Sequence, residues 1–402
     1  MHIHTFNAMN IHGQSTLEFD VDVVTAAYLY VRHRKHTNQR QDTIGKVLGF
    51  KQPHVSRLLK EARMKGWLKE KVETIFATER LTAEQLRAVE KRADDKRAEV
   101  LATLIQLAEK NDHRTFRDVT VCKCLEDDPQ KRQKSFGVQA AERILELLPK
   151  MELVGVAWGQ TMRSVVEGVR KCLQEVKRRN INFIPLCGEP IDEHPGEGKS
   201  ASLIAHDLRD MLRHKPKRET DDDATLLAVP ACVRVKGKSR ESDIMHDYVA
   251  RIAGYRSIFV RRDNGGPAFA DKMDCVITSV GRDSSDISDI NLWTEATGVT
   301  LEELGELYLG NIAGIFLERE GITKPRDREK MELIKRAWTG VKYGHLERCA
   351  EKSREGLGLG VIGLGVGKGK AGMIRECVKR GLINELIIDE ELCDTLLASQ
   401  TD

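Results

Sequence analysis

Beyond Phe116 short β-rich runs alternate with helical patterns, and no other feature of the sequence restricts its fold as strongly. FRDVTVC precedes a helical stretch over residues 140–148, LVGVAWG precedes another from Thr161 to about Lys177, and NFIPLCG follows. TLLAVPACV, SIFVRR, DCVITSVG, GLGVIGLG and ELIIDEELCDTLL carry the alternation onward. Strands this uniformly apolar are covered on both faces, so the pattern predicts an α/β domain with a largely parallel, buried sheet. Ligands of such sheets bind outside the carboxyl ends of the strands, and the loops after these runs are where a site belongs.

Two of those loops carry chemistry. In VGVAWGQTM a strand ends at Trp158 and a helix begins near Thr161. Gly159 lets a ligand approach the backbone closely, and the first N–H groups of the helix, with the Thr161 hydroxyl, form a cradle for a phosphate or another anion. The same strand-glycine-helix turn also serves as a plain connector. Residues 356–374, GLGLGVIGLGVGKGKAGMI, match GxGxxG at Gly358, Gly360 and Gly363, but these glycines lie before or within the strand-like run, where a dinucleotide cradle needs them after it. A Walker A loop is excluded because Lys368 and Lys370 are followed by Gly369 and Ala371. What is left is a glycine loop opening a helix, with Lys370 at its entrance either to pair with a ligand phosphate or hydroxyl or to cap the turn as a solvated lysine. No cofactor and no metal are expected.

At 402 residues, 40% of them apolar, the chain is long enough for a sizeable core and a smaller second module. No apolar run approaches the roughly 20 residues that cross a bilayer, and the opening MHIHTFNAMNIHGQ lacks the apolar centre of a signal peptide, so a soluble, cytoplasmic protein is expected. The nine cysteines are scattered; Cys122 and Cys124, the only close pair, stand too near for a CxxC motif, and the thiols are expected to pack rather than to bridge. The net charge of +3 hides an asymmetry. Residues 32–71 hold twelve Lys or Arg against three acids, a local charge of +9 that leaves −6 on the remainder. One module with such a footprint suits the phosphate backbone of nucleic acid, although a charge run by itself is more often a solvated face.

The basic segment also carries a helical pattern. Val24, Ala27, Tyr28 and Val31 form one stripe, Ile44, Val47 and Leu48 a second, and Val55, Leu58, Leu59 and Ala62 a third. Gly49 ends the second helix, only Phe50 and Lys51 intervene, and the third opens at Gln52 with Pro53 in its first turn, which is a helix-turn-helix arrangement. With Val55, Leu58 and Leu59 turned inward, Gln52, His54, Ser56 and Arg57 face outward. The candidate DNA-binding set is Gln52, Pro53, His54, Ser56, Arg57 and Lys60, with Gln52 and Arg57 reading base edges and Ser56 and Lys60 holding phosphates. Gly66, Trp67 and Leu68 then start a strand-like run to Ile75, as in a winged variant. A basic three-helix protein-interaction module is the alternative.

Residues 77–113 read as a helical connector whose helix starts at Thr82 with a Thr-Ala-Glu-Gln capping box and takes apolar positions from Leu86, Val89, Val100, Leu101, Leu104 and Leu107. Its middle, 90–99, is almost entirely charged or alanine, which breaks the stripe and argues against a long coiled coil. A stiff spacer, a helical dimer contact and an unpartnered linker helix all fit. The expected domains are 18–76, a winged helix-turn-helix, then the connector at 77–113, then the α/β domain at 114–402.

The run IGKVLGFKQPHVSRLLKEARMKGWL resembles the DNA-binding segment of SorC-type sugar-responsive transcriptional regulators, above all in VSRLLKEAR followed by a glycine and a large apolar residue. Six segments within 115–398 resemble the effector domain of that family in the same order: LVGVAWGQTM, FIPLCGE, LLAVPACV, DCVITSVG, LGNIAGIFLEREG and VIGLGVGKGKAGMIRECVKRGLINELIIDEELCDTLL. The resemblance implies a Rossmann-like α/β effector domain related to phosphosugar isomerases and glucosamine-phosphate deaminases, assembly into a homo-oligomer (dimer or tetramer), and a sugar or sugar phosphate as effector. It places Gly159, Gln160, Thr161 and Met162 at the effector's phosphate, Lys370 near its polar groups, and Gly188, Gly281 and Asn311 in the same site. Cys187 and Asn311 stand where some relatives carry arginine and an acid, which implies a site with one cation and one carboxylate fewer. Polar, loop-like insertions at 192–199, 215–223 and 235–242 fall around the rim.

Together these readings predict a DNA-binding transcriptional regulator, repressor or activator, in which effector binding shifts operator affinity and a two-fold assembly reads a palindrome. The alternative from a different class is a sugar-phosphate isomerase-like enzyme carrying a nucleic-acid-binding module. Against it, Asp283 and Asp286 after SVG lack a matched acid–base partner. A purely structural nucleic-acid protein would leave the α/β domain without a role.

Overall fold

The computed structural model describes residues 20–34, 41–69, 75–76, 81–113, 115–124, 126, 128–172, 181–190, 200–212, 227–235, 240–261, 265–281 and 287–398. The expectations for Asp283, Asp286, the insertions at 192–199 and 215–223, part of 235–242, and the side chains of Val31, Leu86 and Val89 lie outside the described residues. The chain divides into two compact units, 1–95 and 96–402.

In the first unit α1 (Val21–Arg34), α2 (Gln41–Leu48) and α3 (Gln52–Met64) turn their stripes into one core. Val24, Ala27, Ile44, Leu48, Val55, Leu58, Leu59 and Ala62 are buried there together with Trp67. Gly49 takes φ +75°, the left-handed conformation that ends α2 and swings the chain into the short turn before α3. Lys51 is extended and Pro53 occupies the first turn of α3, where its missing N–H has no helical partner to lose. After α3, β1 (Leu68–Lys69) and β2 (Ile75–Phe76) pair antiparallel, where the sequence suggested a wing. Helix α4 (Ala83–Glu109) opens on the expected capping box: Gln85 N–H donates to Thr82 Oγ1 at 3.1 Å and Thr82 N–H to Gln85 Oε1 at 2.9 Å. The division into units falls within this helix.

The second unit is built on β3 (Asp118–Cys122), β4 (Leu153–Val156), β5 (Asn182–Pro185), β6 (Cys275–Gly281), β7 (Tyr308–Ile312), β8 (Ile315–Glu318), β9 (Gly360–Gly365) and β10 (Glu385–Asp389). Six of these are parallel, in the spatial order β3-β10-β9-β6-β4-β5, and β7 and β8 extend the end of β6 as an antiparallel hairpin. Around the strands run α5 (Pro129–Leu147), α6 (Gln160–Cys172), α7 (Ala201–Leu212), α8 (Arg240–Arg251), α9 (Ala253–Tyr255), α10 (Ile287–Thr297), α11 (Leu301–Leu307), α12 (Pro325–Ala337), α13 (Tyr343–Arg354), α14 (Ala371–Lys379) and α15 (Glu390–Ala398). Alternate strand residues feed two cores. Val276, Val361, Leu386 and Ile388 pack with Leu104, Leu346, Ile374 and Leu392, whereas Val154, Val156, Ile277, Ile362 and Leu364 pack with Phe136, Val165 and Val166. The sheet is thus buried on both faces, which is why its strands read as continuous apolar runs. This unit is a Rossmann-like α/β domain, as the alternation predicted.

Two of the runs resolve differently. SIFVRR is no strand: Arg256–Val260 forms a π-helical turn in which Tyr255 and Phe259 rings meet at 5.2 Å, the i, i+4 spacing of a helix. Only Ile258 of that turn is fully buried, so a short apolar run could not distinguish helix from strand. In TLLAVPACV the described residues make single bridges, Pro230 to Glu189 and Cys232 to Trp338, because Pro230 lacks the N–H that a continuing ladder needs. Helix α5 begins at Pro129, earlier than expected, since its first turns PQKRQKS are polar and its start is fixed by the Asp128 side chain accepting from Lys131 N–H. The helix from Thr161 is followed to Cys172; its expected continuation lies outside the described residues.

Helices α5 and α6 touch through glycine. A Cβ on Gly137 would lie 2.2 Å from the Ser164 carbonyl oxygen, and one on Gly168 would lie 2.2 Å from that of Gly137. Gly137→Ala must push two backbones apart and is expected to lower the unfolding free energy by about 1–3 kcal/mol in urea titration. An unchanged midpoint would show that the two helices can separate freely.

Candidate functional site

On α3 the side chains of Gln52, Pro53, Ser56, Arg57 and Lys60 are exposed, while Val55, Leu58, Leu59 and Ala62 face the core. Helical spacing sets Gln52, Ser56 and Lys60 in one row, with Pro53 and Arg57 beside it. His54 is half-buried and stacked on Phe50, ring centroids 4.4 Å apart, so its orientation is fixed by the residue that forms the turn. Gln52 Nε2 donates to Gln41 Oε1 at 2.7 Å, which holds the first residue of α3 against α2. All six residues of the candidate DNA-binding set therefore lie on one helix with five of them open to solvent. Such a row can place an arginine and an amide at base edges and a lysine and a hydroxyl at phosphates.

In the second unit the order of strands reverses beside β4. The chain leaves β4 through α6 to β5 on one side, whereas β6 and then β9 lie on the other, so a crevice forms at the carboxyl ends of β4 and β6. Gly159 sits there with φ +115°, and a Cβ on it would come within 3.4 Å of Ser279 Oγ on β6. The first turn of α6 follows at once, with Gln160 exposed and Thr161 only 5% exposed. Met162 is fully buried in the core with Val165 and Val166, so only its backbone can serve a ligand. Two residues apart in sequence terms from Ser279, Gly281 pairs with Asn311 of β7, and a Cβ on Gly281 would lie 2.3 Å from Asn311 Nδ2. The Asn311 side chain covers that glycine and donates to the Tyr308 hydroxyl at 2.8 Å. Gly310 faces Met373, one turn into α14, which sets the start of α14, and with it half-buried Lys370, beside β7.

Gly188 has a different role from the other glycines. A Cβ there would lie 2.4 Å from the Val229 carbonyl oxygen, and Glu189 N–H donates to the same oxygen at 2.7 Å, so Gly188 locks the exit of β5 onto residues 229–230. Cys187 is buried in an aromatic cluster with Trp158, Trp293, Tyr308, Phe316 and Trp338. Trp158 and Trp338 meet edge to face at 5.6 Å, directly behind the Gly159 turn. The structure thus brings Gly159, Gly281 and Asn311 to the ends of adjacent strands, while the Met162 side chain packs into the core and Gly188 abuts residues 229–230.

Sequence reasoning passed over a group of buried acids at the neighbouring strand ends. Asp389, at the end of β10, has no exposed surface; its Oδ1 accepts from Gly367 N–H at 3.0 Å and Leu392 N–H at 3.2 Å, and its Oδ2 has no partner among the described residues. Burial pushes its carboxyl above the usual carboxylate range. Glu390 beside it is raised by burial to about 7, against the pull of Lys123 and Lys96. Arg132 reaches into the group to pair with Glu391. Among the described residues no group of His, Cys, Asp or Glu is arranged to hold a metal ion, and no helix is long and apolar enough to cross a membrane.

Residues 111–209 match the family model of a putative sugar-binding domain. No curated protein matches the sequence. Among solved structures, the full-length sorbitol operon regulator SorC from Klebsiella pneumoniae is similar at a TM-score of 0.50 and 16% identity, over 93% of this chain and 98% of that one. A DeoR family transcriptional regulator from Listeria monocytogenes is similar at 0.50 and 17% identity, over 74% of this chain and 99% of that one. A transcriptional regulator from Streptococcus pneumoniae TIGR4 is similar at 0.52 and 15% identity, over 76% and 99%. At such identities the likeness is one of fold.

The raised Glu390 has a measurable consequence. Between its ordinary value near 4.5 and about 7 the folded state holds a proton that the unfolded chain has released, so stability present below that window is lost as the pH rises through it. Glu390→Gln is expected to flatten the decline of the urea midpoint across this range. An equal decline in wild type and variant would place the titration elsewhere.

Proposed function

We propose that the chain is a transcriptional regulator of the SorC type: the winged helix-turn-helix within 18–76 reads duplex DNA, 77–113 connects, and the α/β domain at 114–402 binds a sugar or sugar phosphate that alters operator affinity. The observation that carries this reading is the joining, in one chain, of the exposed row on α3 to a stretch that matches a sugar-binding family. The local charge of +9 over residues 32–71 supplies the sequence-independent attraction to phosphates, and Gln52 and Arg57 the discrimination between bases.

At the crevice the first-turn N–H groups of α6 and the Thr161 hydroxyl receive the phosphate or an equivalent oxygen of the effector. Lys370 approaches from the start of α14, and Asn311 offers an amide where a carboxylate would demand a charged partner. The effector's differential affinity for two arrangements of a homo-oligomer then shifts DNA binding, in a cytoplasmic regulator that acts as a repressor or an activator. The crevice is assigned to binding rather than turnover.

Thermal-shift titration of the whole protein against a panel of hexose, pentose and polyol phosphates should find a compound that raises Tm, because a ligand of the folded state stabilises it by mass action. Thr161→Ala and Lys370→Ala are expected to abolish that shift; a shift kept in both variants would move the effector away from the crevice. In gel-shift assays with genomic fragments, Arg57→Ala should weaken specific binding by about 1–3 kcal/mol and relax sequence preference. Failure of the wild-type protein to prefer any fragment over random DNA would end the regulator reading.

A further inference from the structure

A cavity of about 490 Å³ opens between β8, the end of α12 and the start of α13. That volume is in the range that encloses a small organic ligand. Its wall is aromatic: Trp293 and Trp338 have ring centroids 6.1 Å apart, and Phe316 stands edge-on to Trp293 at 6.0 Å. Ile315, Leu317 and Ile334 complete the apolar lining.

Two features at the same cavity call for an anion. Lys342, on the lip, turns its ammonium inward onto the carbonyl oxygens of Trp338 and Lys335 and makes no ion pair with a carboxylate among the described residues. Although Lys342 as a whole is exposed, desolvation around its ammonium lowers its pKa to about 8, and a nearby anion would favour the charged form. Arg380, by contrast, is already matched by Glu376. Lys342 is also the residue before α13, a helix of 12 residues whose first two members, Tyr343 and Gly344, line the cavity, and first-turn N–H groups have no acceptor inside a helix. Trp293 offers the cavity its ring rather than its donor: it is only 1% exposed, and its indole N–H is closed off, without an acceptor among the described residues.

We propose that this cavity is a small-molecule site, separate from the strand-end crevice, that takes a flat aromatic carboxylate with its ring on Trp293, Phe316 and Trp338 and its carboxylate on Lys342 and the start of α13. Glu318, Lys335 and Arg380 also line the cavity, with Glu318 3.9 Å from Lys335, but a sugar would still set hydroxyls unpaired against the indole and aliphatic part of the wall. A single uncompensated ammonium matches one negative charge better than the two of a phosphate monoester.

The test is calorimetric titration of the full chain with 2-naphthoate and with its neutral analogue 2-naphthamide. The expected result is saturable binding of the acid, with the amide weaker by about tenfold or more. Lys342→Met should remove that difference by weakening the acid alone. Gly344→Leu, where a Cβ meets only Arg348 Nη1 at 3.3 Å, should obstruct the cavity and weaken both ligands. Thr161→Ala should change neither. Absence of saturable binding, equal affinity for acid and amide, wild-type affinity in both Lys342→Met and Gly344→Leu, or loss of binding in Thr161→Ala would each overturn the proposal.

Discussion

Asn384 holds together the amino ends of the central strands. Fully buried, it accepts from Val361 N–H at 2.7 Å and donates to the carbonyl oxygens of Thr115 at 2.9 Å and Ala350 at 3.1 Å, so one amide fastens the start of β9, the approach to β3 and the end of α13. Its own backbone continues the work, with Arg117 N–H on its carbonyl and its N–H on that of Val361. Each of these groups is out of reach of water, where an unpaired donor or acceptor costs about 1–3 kcal/mol. With register fixed at the amino ends, the carboxyl ends are free to vary in sequence. There the chain places its glycines, its buried threonine and its buried acids.

Much of this architecture could be read from the sequence because two physical signals were strong. The stripes of α2 and α3 follow a 3.6-residue period against a charged background, and only one side of each helix can be buried in so small a core. The strands of the sheet lack polar alternation because both faces are covered, as the wholly buried β4, β9 and β10 show. Where the signal was ambiguous the reading slipped. SIFVRR has the composition of a strand, and only the company it keeps, with Ile258 alone turned fully inward, makes it a helical turn.

The sites were legible to a lesser degree, for a different reason. A glycine-turn-helix pattern suggests a backbone cradle, which is why Gly159 and Thr161 were singled out, but it does not say which side chains of the helix face out; Met162 faces the core. The aromatic cluster behind the crevice draws Trp158, Trp293, Tyr308, Phe316 and Trp338 from segments far apart in sequence, and no local pattern marks them. Asp389 and Glu390 carried no such pattern and were passed over. Their burial is a property of α15 folding back over β10, with Leu392 N–H bonded to Asp389 Oδ1.

Every one of the nine cysteines lies in the second unit, and seven of them are buried. Burial pushes the thiols of Cys349 and Cys393 up to about 12, so neither offers a thiolate to a reagent while the sheet is closed. Alkylation therefore acts as a clock for the opening of that unit alone. The first unit, which has no sulfhydryl, is silent to such a reagent, and the rate at which label accumulates on Cys349 reports how often the covering of the sheet lifts.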